Sequence, residues 1–145
     1  MQVDFYQLSR DPVDKVLPAI AAKILATGGR LLVVAAEQDQ RDRISHGLWS
    51  TDPASFLAHE EAGCANDAIQ PILLSATCEP LNDAKFVALA DGEWREEALS
   101  FDRAFYFFDH LTIDGARQSW RALRDRDDVE PRFWKQEGGK WMQGP

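Results

Sequence analysis

Arg117, Arg121 and Arg124 recur at i, i+4 and i+7, with Trp120 among them. In a helix that spacing lines three guanidinium groups along one face and sets an indole beside them. Planar forks of permanent charge bind carboxylates in bidentate fashion, and a neighbouring ring offers an apolar surface. Together they suit a carboxylate attached to an apolar side chain. The same pattern also fits a solvated helix face with Trp120 packed inward. A second group, Arg43, Leu48-Trp49 and Ser55-Phe56, sets large aromatics in or beside a polar stretch. Such residues serve as core plugs or as walls of an apolar pocket where a peptide docks.

The spacings that would carry catalysis are missing. The turn after the first apolar run reads Ser9-Arg10-Asp11-Pro12, without the glycines that let backbone approach a pyrophosphate. Gly28-Gly29-Arg30 precedes a strand-like run rather than a helix, the wrong side for a phosphate cradle. His46, His59 and His110 are scattered, Cys64 and Cys78 lack metal-ligand spacing, and no G-x-S-x-G elbow accompanies the serines. The acidic pairs Glu60-Glu61, Glu96-Glu97 and Asp127-Asp128 read as solvated loops and helix starts. No catalytic residue, cofactor or metal is expected.

The elements that must position these residues follow from the apolar pattern. Val3 to Leu8 predicts a first strand. Asp11-Pro12 predicts a helix start, with Asp11 as cap and Pro12 at the first helical position. Val16, Leu17, Ile20, Ile24 and Leu25 continue that helix as far as Gly28-Gly29. The continuous apolar runs at 30–36, 71–75, 85–90 and 104–108 predict strands buried on both faces. Helices are expected over Gln38–Leu48 and Ile113–Arg124. Ser50 to Gln70 reads as irregular, and Phe133 to Trp141 as a hairpin about Gly138-Gly139. This alternation argues for an α/β fold with a mainly parallel sheet and helices on both faces.

At 145 residues, without a linker, repeat or low-complexity stretch, one domain over 1–145 is expected. Net charge is −8 and very uneven: residues 1–102 hold 8 Lys/Arg against 17 Asp/Glu, residues 103–145 hold 8 against 7. Strong direct nucleic-acid binding by phosphate neutralisation is therefore not expected, and an anionic partner would use the C-terminal third. No apolar run suits a membrane span, and Met1-Gln2-Val3-Asp4 lacks the features of a signal peptide, so a cytoplasmic location is expected.

Several stretches, in this order, resemble one family. They are Phe5-Tyr6-x-Leu8, Arg43-x-x-x-x-Leu48-Trp49, Ser55-Phe56-Leu57-x-His59, Gln70-Pro71-Ile72-Leu73-Leu74, Phe101-Asp102-Arg103, Ala116-Arg117-x-x-Trp120-Arg121, and Trp134-Lys135-Gln136 with Trp141. The family is the chi subunit of bacterial DNA polymerase III holoenzyme, and the resemblance covers essentially the whole chain. It implies a Rossmann-like, three-layer α/β/α domain with no catalytic role. It also implies a replication adaptor that joins the clamp-loader complex through the psi subunit, or another clamp-loader subunit. Such an adaptor binds the acidic, Phe-terminated tail of single-stranded DNA-binding protein. Arg117 and Trp120 stand at the family's tail-binding Arg and aromatic, and Trp49 and Phe56 at its pocket-side aromatics. With Arg43, Arg121 and Arg124 these form the expected peptide site. Two other readings compete: a nucleotide-dependent enzyme with a degenerate phosphate loop, and a direct single-stranded DNA-binding module stacking bases on Trp120, Trp134 and Trp141.

Overall fold

The computed structural model describes residues 1–50, 57–137 and 140–144. In chain order the elements are β1 (Gln2–Gln7), α1 (Val13–Ala26), β2 (Leu31–Val34), α2 (Gln38–Ser50), β3 (His59–Glu61), β4 (Ile72–Ser75), β5 (Phe86–Leu89), β6 (Arg103–Phe108), α3 (Ile113–Arg124), β7 (Glu130–Glu137) and β8 (Lys140–Gln143). They form one eight-stranded sheet in the order β3-β4-β2-β5-β6-β1-β7-β8. Every pairing is parallel except β7 with β8. The expected α/β class and mainly parallel sheet are present, and the four apolar runs are interior strands. Each of these four has a strand on both sides and is buried along nearly its whole length, side chains of both faces included.

Alternation along the strands divides the core in two. Leu31, Val33, Ile72, Leu74, Phe105 and Phe107 join Leu17, Ala21 and Ile24 of α1 and Ile44 and Leu48 of α2. Leu32, Val34, Leu73, Val87, Tyr106 and Phe108 join Ala116 and Leu123 of α3. α1 and α2 therefore cover one face of the sheet and α3 the other. α1 and α2 meet closely where Pro18, lacking an N–H, cannot donate to the Asp14 carbonyl. Gly47 of α2 sits against that carbonyl, and a Cβ on Gly47 would lie 2.3 Å from the Asp14 oxygen.

Three local expectations need correction. Asp11 does not cap α1: Pro12 is the flanking residue, without a side-chain cap bond. The Asp11 carboxylate instead accepts a hydrogen bond from Gln136 Nε2 at 3.0 Å. The stretch 50–70 is not wholly irregular, since β3 and a 3₁₀ turn at Asp67–Ile69 lie within it. β3 has only three residues and pairs on one side only, so it carries no apolar run that periodicity could detect. α2 runs two residues beyond Leu48, to Ser50. β7 and β8 pair as the expected hairpin, while Gly138 and Gly139 lie outside the described residues.

β1 carries a buried acid on the face of the sheet that Tyr6 and Trp134 share. Asp4 is 0% exposed and accepts hydrogen bonds from Arg103 Nε (2.6 Å), Trp134 Nε1 (3.0 Å) and Gln2 Nε2 (3.0 Å). A carboxylate taken out of water is tolerable only with such partners. These bonds tie β1 to β6 and β7, the strands on either side of it.

Candidate anion and apolar side-chain site on helix α3

α3 seats itself through Ala116 and Leu123, which are buried, with half-buried Trp120 between them. The arginines at 117, 121 and 124 each follow one of these three seam residues by a single position. One position is about a hundred degrees of helix rotation, so the guanidinium groups rim the seam instead of entering it. Trp120 meets Phe5 edge-to-face at 5.1 Å between ring centroids and Phe133 at 6.4 Å. Phe5 and Phe133 are opposite residues of the paired strands β1 and β7.

These elements enclose an open cavity of about 410 Å³. Its floor is apolar: Phe5, Phe108, Phe133, Ile113, Ala116 and Trp120. Its rim is cationic: Arg117, Arg121 and Arg124, with Gln7 adding an amide. Arg117 and Arg124 are 63% and 60% exposed and lie 3.9 Å from Asp114 and 3.8 Å from Asp125. Exposed pairs that long contribute little, so both guanidiniums remain open to a stronger anion. Arg121 makes no ion pair among the described residues. Among the described residues the lining holds no carboxylate, imidazole, thiol or amine, hence no group there suited to move a proton near neutral pH. What the arrangement offers is binding: fixed positive charge above an aromatic slot.

The structure therefore brings Arg117, Trp120, Arg121 and Arg124 together. It does not add Arg43 or Trp49 to them. Both are on α2, across the sheet, where Trp49 is 48% exposed and its ring lies 4.6 Å from that of His59. Phe56 lies outside the described residues. Phe5, Phe108, Phe133 and Ile113 were missed as lining residues. For the three phenylalanines no local spacing could have shown it, because strand register and alternation deliver them.

The crevice where sheets of this kind usually hold nucleotides is occupied by the chain itself. After β2 the chain passes to β3 and then β4 on one side, and after β5 to β6 on the other, so the strand order reverses between β2 and β5. Beyond their C-terminal ends Asp91 accepts the Ala36 N–H at 3.0 Å and both terminal nitrogens of Arg95 at 2.8 Å. Burial raises the Asp91 pKa, but these bonds outweigh it and hold the carboxyl below its usual range. Gln40 donates to Ala90 O, and Arg41 donates to Ala35 O, Ala36 O, Gln38 Oε1 and Glu61 Oε1. Among the described residues no group of three or more His, Cys, Asp or Glu could hold a metal ion, and no helix is long and apolar enough to cross a membrane.

No match was found among curated proteins. The family model for the DNA polymerase III chi subunit, HolC, matches residues 1–129, a span that includes all of α3 and ends just before β7. With nearly nine-tenths of its residues under that match, the chain belongs to the DNA polymerase III chi subunit family.

Proposed function

We propose that this protein is a non-catalytic accessory subunit of DNA polymerase III that links the clamp-loader complex to single-stranded DNA-binding protein during replication. In this reading the α3 cavity takes the acidic, Phe-terminated C-terminal tail of that protein. The terminal carboxylate lies on the arginine rim, and the phenyl ring enters the slot among Phe5, Trp120 and Phe133. The clamp-loader side is a psi subunit or another clamp-loader component, the scaffold is a Rossmann-like α/β/α domain, and the protein works in the cytoplasm. Family membership supports the polymerase assignment. The observation that carries the tail assignment is a cavity uniting an apolar aromatic floor with three arginines and, among the described residues, no acid.

A Phe-terminated acidic peptide titrated into the protein tests it. Arg117→Ala should weaken binding by about 1.5–3 kcal/mol, the scale of hydrogen bonds to charged groups. Its Tm should hardly move, because Arg117 is exposed. Salt approaching 1 M, where the Debye length is about 3 Å, should weaken binding further. Removing the terminal Phe should cost about 2 kcal/mol or more and exceed the loss from Phe→Ala, since truncation also displaces the carboxylate. Unchanged affinity with a lowered Tm in Arg117→Ala would make Arg117 structural and overturn the assignment. Binding that tracks only the number of acidic residues, with the Phe dispensable, would do the same.

A further inference from the structure

On the opposite face of the sheet a larger cavity, about 640 Å³, opens between α1 and the β7–β8 hairpin. Its volume is within the range typical of ligand sites. The walls are apolar: Ile20 and Ile24 from α1, Phe86 and Phe105 from the sheet, Trp134 and Trp141 from the hairpin. Lys23 of α1, Arg103 of β6 and Lys140 of β8 bring positive charge from three separate elements, and among the described residues the lining contains no carboxylate. The one acid beneath it, Asp4, is already bound by Arg103 Nε. The terminal nitrogens of Arg103 make no hydrogen bond among the described residues, and its guanidinium carbon lies 4.8 Å from the centroid of Phe105. The hairpin wall begins at Glu130, beyond the residues matched by the family model.

We propose that this cavity is a second docking site, which takes an acidic peptide segment of a partner protein that inserts one bulky apolar side chain. Charge selects the class of occupant, because on a chain of net charge −8 the described lining concentrates three cations and no acid around one apolar hollow. Ring geometry selects a side chain over a nucleobase. Trp134 lies nearly parallel to Tyr6 at 12°, and Trp141 meets Tyr6 edge-on at 82°. A base inserted here would press its polar edge against isoleucines and ring edges and leave donors and acceptors unpaired, a cost an apolar side chain avoids. The site needs no terminal carboxylate, because its cations stand apart on three elements. The assignment does not depend on what occupies the α3 cavity.

The chain has five tryptophans, so 5-fluorotryptophan labelling with ¹⁹F NMR reads both cavities in one sample once each resonance is assigned by a Trp→Phe variant. The probe is an N-acetylated, C-amidated peptide of aspartates flanking one phenylalanine, which lacks a terminal carboxylate. It should shift Trp134 and Trp141 and leave Trp120 unmoved. The variant Lys23→Glu/Lys140→Glu, altered only at exposed positions, should lower its affinity about tenfold. That variant should keep the Trp120 response to a Phe-terminated peptide. The proposal is overturned if Trp134 and Trp141 stay silent, if the double variant binds the probe as well as the parent, or if oligothymidine shifts them more strongly than the peptide. Shifts that appear on concentrating the protein alone would assign the face to a second copy and overturn it too. A silent Trp120 in the Phe-terminated titration would instead refute the tail-binding role of α3 and leave this site standing.

Discussion

The two cavities are built from neighbouring residues of the same strands. Phe5 and Phe133, opposite each other on β1 and β7, floor the α3 cavity. Tyr6 and Trp134, the next opposed pair, line the cavity across the sheet. Their cations differ in origin. In the first, three arginines come from one helix at helical spacing and are exposed. In the second, each cation comes from a different element, and Arg103 is held by a buried acid. A set of cations supplied by one helix is preassembled by local geometry and can lose a member without losing its arrangement. A site assembled from α1, β6 and β8 exists only while the sheet register and the hairpin hold, so stability and binding are coupled there.

The variant expected to break this contrast most severely is Asp4→Ala. Arg103, Trp134 and Gln2 would lose their common acceptor, and unfolding free energy from urea denaturation should fall by about 3 kcal/mol. The side of the sheet bearing Tyr6 and Trp134 should also loosen. A loss below about 1 kcal/mol would mean that these donors find other acceptors and that the second cavity is not anchored by Asp4.

Trp120→Ala probes the first cavity at the seam rather than the rim. Since Trp120 is half-buried against Phe5 and Phe133, it should cost about 2 kcal/mol of stability, less than a fully buried large ring. It should weaken the Phe-terminated peptide as well, whereas Arg117→Ala weakens binding alone. Calorimetric melting alongside peptide titration separates the two behaviours.

The two tyrosines, one on each face, give a pH test. Burial, then the charge of Asp4, pushes Tyr6 up to about 12 against a smaller opposing effect of Arg103. Burial, then Glu93 and Asp91, pushes Tyr106 up to about 12, and its hydroxyl donates to Gly92 O at 2.6 Å. The fold thus favours both neutral phenols. Their contribution is complete below the unfolded value near 10 and is lost as pH rises from there towards 12. Absorbance at 295 nm should stay flat through pH 10 and rise only near 12. In Asp4→Asn the Tyr6 step should move down while the Tyr106 step stays. Movement of both would show that the faces are not electrostatically separate.

The smallest effect is expected at α2. Arg43→Ala and Trp49→Ala should leave affinity for the Phe-terminated peptide within about 0.3 kcal/mol, because both residues are across the sheet from α3. A loss comparable to that of Arg117→Ala would return Trp49 to the tail site and contradict the division between faces.

The sequence by itself determined what is local or periodic. Continuous apolar runs marked four of the interior strands, β2, β4, β5 and β6, because strands buried on both faces have no polar side to interrupt them. Helical spacing grouped Arg117, Arg121 and Arg124 beside Trp120, because residues three and four apart share a face whatever the helix packs against. It also made the phosphate-binding loops conspicuous by their missing glycines. Tertiary structure decided which side of the sheet each helix covers, and so parted Trp49 and Arg43 from the arginines. It seated three-residue β3, whose pairing with β4 leaves no pattern of its own. It set Phe5 and Phe133 beneath Trp120, and Tyr6 and Trp134 behind them, through the pairing of strands more than a hundred residues apart. Alternation along a strand turns adjacent residues to opposite faces, and no spacing along the chain records which strand will lie alongside or in what register.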